Sequence, residues 1–91
     1  MAQTAGVTAN EALREIRGYA SAGRVRIIFH AKERMRERGA RFYDVQHALA
    51  NAMECTASER GRWRTRGPDS DGDELTCIVR LENGVVVVTV F

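Results

Sequence analysis

"ELTCIVRLENGVVVVTVF", residues 74–91, decides the fold. The run at 85–91 places Val85 and Val87 on one side and Val86, Val88 and Val90 on the other, so both faces are apolar. A strand of that kind is expected inside a sheet, with helices over at least one face. "ELTCIVRL" before it alternates, with Arg80 as a polar member, and "ENG" at 82–84 supplies the Asn-Gly pair that favours a tight hairpin. Working back, the acidic turn "GPDSDGD" at 67–73 precedes this hairpin and "RWRTR" at 62–66 reads as a further strand, with a poorer one around Cys55 to Ser58.

The first half of the chain has the period of helices. Asn10 caps an expected helix over Glu11 to Ala22, with Leu13, Ile16 and Ala20 at helical spacing and Gly23 as its stop. "RVRIIF" at 24–29 alternates Arg24 and Arg26 against Val25, Ile27 and Phe29, the pattern of a strand with one face on a core. "HAKERMRERG" at 30–39 then predicts a helix ending at Gly39, and a third spans roughly Phe42 to Ala52, with His47 on its polar side. Helices first and hairpins after them predict an α+β fold: N-terminal helices packed on a mainly antiparallel, twisted sheet of about four strands. At 91 residues the chain is expected to be a single domain, 1–91, with 1–9 flexible.

Composition excludes several classes. With 44% hydrophobic and 29% charged residues the chain has enough apolar material to fold. "MAQTAGVTAN" lacks the basic start and apolar run of a secretory signal, and no apolar run is long enough to span a bilayer, so a cytoplasmic protein without a membrane role is expected. Cys55 and Cys77 stand alone and read as reduced, small hydrophobic residues. Two histidines and two scattered cysteines make a poor metal set, and "DSDGDE" lacks the ligand spacing of a calcium loop, so neither metal nor cofactor is expected.

The arginines carry the chemistry. Thirteen of the fourteen basic residues are arginine, Lys32 being the exception. The planar guanidinium grips phosphate with a fork of donors, although coding bias would also raise the count. Arg62, Arg64 and Arg66 share one face of their strand, and Arg26 and Arg80 are polar members of theirs, so five arginines line one side of the sheet if those faces coincide. On the helix, His30, Arg34 and Arg38 fall within about 80° of one another, next to the apolar Ala31 and Met35. The stems of Arg34 and Arg38 are therefore expected along the sheet, with their heads at its rim. Histidine exchanges protons near neutral pH, and arginines stabilise the extra charge that builds when a ribose 2′-hydroxyl attacks the adjacent phosphate. His30 among these cations is the minimum equipment for metal-independent RNA cleavage. The same arginines would equally serve a non-catalytic module that binds nucleic acid or an acidic protein, or pair with the acidic hairpin or another chain in a structural subunit.

Together "HAKERMRERG", "DVQHAL", "WRTRG" and "VVVVTVF" resemble a bacterial family of small domains of unknown function with a His-Ala-x-x-Arg-Met-x-x-Arg-Gly signature, over about residues 24–91. That family is remotely similar to the RelE and MqsR toxins, small α+β ribonucleases of toxin–antitoxin pairs, and "AGRVR" also resembles MqsR. The resemblance implies a ribonuclease that cuts messenger RNA and is held inactive by an antitoxin; a monomer or homodimer is expected. Among site residues it implies His30, Arg34, Arg38 and Arg64 for catalysis, with Gly67 and Thr89 as further family positions. Arg26, Arg62, Arg66 and Arg80 join Thr89 as the substrate-binding set. The chain departs from these toxins in having a single lysine and no tyrosine on its final strands.

Overall fold

The computed structural model describes residues 7–91. Of the segment 1–9 expected to be flexible, residues 1–6 lie outside the described residues, and Ala9 already belongs to the first helix. That helix, α1 (Ala9–Ser21), is capped by Thr8 rather than Asn10: the Thr8 side chain accepts from the Glu11 amide at 3.1 Å and Glu11 accepts from the Thr8 amide at 2.8 Å. The reciprocal pair satisfies two backbone donors that a helix start leaves open, which moves the start ahead of Asn10.

Strand β1 (Val25–Ile27) is shorter than "RVRIIF" suggested. Phe29 opens the next helix instead of packing on the core, and it is 73% exposed. That helix, α2 (Phe29–Arg38), closes at Gly39 in the left-handed region, φ 78°, where a residue without Cβ is favoured. Helix α3 (Phe42–Ala50) follows, and Asp44 in its first turn accepts from the Arg41 amide at 2.9 Å. The strands β2 (Glu54–Ala57), β3 (Trp63–Pro68), β4 (Glu74–Leu81) and β5 (Val85–Val90) complete the chain.

The sheet has five strands in the order β1-β5-β4-β3-β2, not about four. It is also mixed, because β1 runs parallel to β5 while the other pairs are antiparallel. Arg24 explains the parallel edge: its carbonyl accepts from the Val85 amide at 2.9 Å and its guanidinium donates to the Asn83 carbonyl at 2.7 Å. The chain thus enters beside the Glu82–Gly84 turn and must run in the direction of β5.

All three helices pack on one face. Ala12, Ile16 and Ala20 of α1, Ala31 and Met35 of α2, and Val45, Ala48 and Leu49 of α3 meet Leu75, Cys77 and Val79 of β4 and Val85, Val87 and Val90 of β5 in one core. Each fully buried Ile, Leu or Val contributes about 1.5–3 kcal/mol. Strict alternation would have put Val90 on the side of Val86, but the register shifts between Ile78 and Val79: Val79 faces Val87, while Ile78 faces Thr89. The extra residue of this bulge, Val88, turns Val90 into the core and Thr89 to the opposite face.

Candidate functional site

The face of the sheet away from the helices gathers the strand arginines. Cross-strand register aligns Arg26, Val86 and Arg80 in one row, Thr56, Arg64, Ile78 and Thr89 in the next, and Glu54, Arg66 and Thr76 in a third. Arg62, expected to open the strand, lies just before β3, and its extended backbone gives it the parity of Arg64 and Arg66. Val86 is 2% exposed between Arg26 and Arg80, as expected where aliphatic arginine stems cover an apolar side chain and hold their charged heads outward.

The five cations are not equivalent. Arg66 is held by two carboxylates, with Nε 3.1 Å from Glu74 Oε2 and a second contact to Glu54, and these partners, Glu54 first, keep its guanidinium firmly protonated. Glu82 lies 3.0 Å from Arg80 Nε, too poorly aligned for a hydrogen bond, and 3.7 Å from Arg26. Among the described residues Arg62 and Arg64 have no carboxylate within salt-bridge range, and the Nε of Arg62 is buried without a hydrogen-bond partner. Arg64 instead lies over the Phe91 ring, its guanidinium carbon 5.5 Å from the centroid.

Helix α2, packed over β5, reaches the same aromatic ring at the C-terminal end of that strand. Arg34, Glu37 and Arg38 line, with Val90 and Phe91, an open cleft of about 200 Å³. Arg34 pairs with Glu37 at 3.2 Å, and Arg38 donates to the Glu74 carbonyl at 2.8 Å, which ties the end of α2 to the start of β4. Phe91 itself is fixed by its amide, which donates to the Thr76 carbonyl at 2.8 Å. Phe91 therefore stands between two groups: it lines the cleft with Arg34 and Arg38, while Arg64, which lines the neighbouring pocket with Arg66, Glu54 and Glu74, lies over its ring.

His30 stands apart. It is exposed in the first turn of α2, and the helical rise puts it about 12 Å along the axis from Arg38. Among the described residues no hydrogen bond or ion pair joins it to Arg62 or Arg64. The other histidine, His47, has Nδ1 2.9 Å from the Pro68 carbonyl, which only accepts, so Nδ1 carries the proton. It lines a different groove, with Tyr43, Gln46 and Asn51.

Two residues of this region, Phe91 and Asp44, are not among the site residues that the sequence points to. Phe91 was read only as the end of a valine strand, although its parity with Thr89 and the arginines opposite were the available signal. Asp44 is buried, and its oxygens accept from the Ser70 amide at 3.2 Å and from the Ser70 hydroxyl. The Ser70 hydroxyl, followed by the Arg41 amide, holds its carboxyl below the usual carboxylate range. Asp44, Asp69 and Asp71 bring carboxylate oxygens within 4.8 Å of one another, but Asp69 Oδ1 accepts from the Asp71 and Asp73 amides and Asp44 caps α3, so two of the three already serve as turn and cap acceptors. Gly67 occupies a close approach of β3 to α3: a Cβ there would lie 2.3 Å from the Ala48 carbonyl oxygen and 2.9 Å from Ala52 Cα.

The two thiols do not add chemistry. Burial pushes Cys77 up to about 12 and also raises Cys55, so neither provides a ready thiolate. No helix among the described residues is long and apolar enough to cross a membrane.

A family model described as a domain of unknown function, DUF4258, matches residues 27–91, which takes in α2, α3, β2 to β5 and every site residue except Arg26. No curated protein and no solved structure matches the chain.

Proposed function

This chain belongs to the DUF4258 family, and from that premise we propose that it is a toxin-like, metal-independent endoribonuclease, whose phosphate site is the cleft between α2 and the sheet. One observation carries the reading: Arg64 lies over the ring of Phe91, and Phe91 lines the same cleft as Arg34 and Arg38. Two guanidinium groups in the cleft, against the single carboxylate of Glu37, and a third over the ring at its border suit an anionic chain better than a neutral ligand. In the reaction a base takes the 2′-hydroxyl proton, and the oxygen attacks the neighbouring phosphorus. The P–O5′ bond breaks as the leaving oxygen takes up a proton, giving a 2′,3′-cyclic phosphate and a 5′-hydroxyl end. Arg34, Arg38 and Arg64 hold the phosphate and stabilise its developing charge, and His30, at the head of the same helix row, exchanges the proton. Arg62 extends the phosphate path along the sheet. Arg26, Arg66, Arg80 and Thr89 lie beside it, and the carboxylates on the first three make them weaker binders. The resemblance to RelE and MqsR toxins adds messenger RNA as substrate and an antitoxin as the restraining partner.

Purified protein incubated with RNA in chelator is expected to produce cyclic-phosphate ends, and His30→Ala to reduce the rate by 10²-fold or more. Equal cleavage by both proteins would remove His30 from the mechanism. The exposure of His30 favours a second reading in which the same cations bind nucleic acid without turnover. Salt-sensitive binding with no cleavage by the wild type would select it.

A further inference from the structure

We infer that the Phe91 ring is a stacking platform for an unpaired nucleobase, which makes single-stranded RNA the ligand of the cleft. The inference rests on the phosphate-site reading above and adds the form of the nucleic acid. Several large apolar side chains are exposed here, Phe29, Phe42, Tyr43 and Met53 among them, and isolated cases of that kind are ordinary. Phe91 differs in its surroundings. It is 48% exposed while its backbone is anchored to β4, Arg64 sits over the ring, and Arg34 and Arg38 line the cleft beside it. With Arg64 over one face of the half-exposed ring, the other face is the one left for a base. The flanking phosphates then meet Arg34 and Arg38 in the cleft and Arg64 beyond the ring, which matches a nucleotide in both its parts. In a duplex each base face is already covered by its neighbours, so only an unpaired base reaches the ring. The small volume of the cleft, about 200 Å³, suits one base rather than a helix groove.

The test measures fluorescence anisotropy of a labelled 2′-O-methyl oligoribonucleotide, which lacks the attacking hydroxyl and stays intact, as a single strand and as a duplex of the same sequence. Phe91→Leu is expected to weaken single-strand binding about tenfold and to leave the weaker duplex binding unchanged, whereas Phe91→Trp retains it. The Phe91→Trp variant also gains an emission that the single strand quenches, above the Trp63 background, so the inference stays testable if the leucine variant folds poorly. Wild-type affinity in Phe91→Leu together with lost affinity in Arg64→Ala would overturn the stacking role and leave the phosphate site standing. Absence of wild-type binding to either form would overturn both.

Discussion

At Gly67 a hydrogen is all that fits between β3 and α3, because the Ala48 carbonyl and the Ala52 backbone occupy the space of a side chain. Gly67→Ala is expected to lose about 1–3 kcal/mol of stability in denaturant unfolding, with no direct effect on the arginine face. The resemblance marked this glycine without a reason, and only the approach of two elements distant in sequence supplies one. Asp44 makes a second prediction. Its folded carboxyl lies below its unfolded value, so the stabilisation it gives is fully present above about pH 4 and is lost as pH falls through the lowered folded value. Asp44→Asn should be less stable than wild type at pH 7, and the difference should shrink on acidification; an unchanged gap at pH 2 would contradict the assignment. Thr89 and Phe91 show the limit of reading parity along a chain. The bulge at Val88 leaves no mark in the run "VVVVTVF", yet it puts Val90 in the core and both these residues away from it.

Among the elements, α2 was the most legible from sequence: its length, its stop at Gly39 and its buried Ala31 and Met35 all follow from local pattern. The strands β4 and β5 were legible for the same reason. Pairing was not. Nothing local in "RVRIIF" says that β1 joins β5 in parallel, since that depends on where Arg24 meets the Glu82–Gly84 turn. Nor does sequence distance show that Glu54 and Glu74 flank Arg66, whereas register brings them to one spot. These carboxylates divide the arginine face into neutralised and free cations, and the division is testable. Replacing both, as Glu54→Gln with Glu74→Gln, releases Arg66 and should tighten RNA binding severalfold at low salt, a size set by an exposed ion pair of about 0.2–1 kcal/mol. Unchanged affinity in an electrophoretic or anisotropy titration would mean that Arg66 lies off the RNA path.

For the molecule as a whole, one covered sheet face and one cationic face set the division of labour. The helices and the apolar side of β4 and β5 supply the core, while α2 is the element that borders both, anchored by Ala31 and Met35 and presenting Arg34 and Arg38 beside the end of β5. Its scarcity of apolar residues fits that border position. If the cleft is a phosphate site, affinity must follow counterion release, and the free cations Arg38, Arg62 and Arg64, with Arg34 beside Glu37, set its size. The most direct measurement is therefore the binding of a single-stranded 2′-O-methyl oligoribonucleotide across a salt series. Three or four phosphate contacts predict that log K falls linearly with log[salt] at a slope of about −2 to −3, and that Arg64→Ala makes the slope shallower by about 0.7. Binding indifferent to salt, or a slope unchanged in Arg64→Ala, would contradict the account.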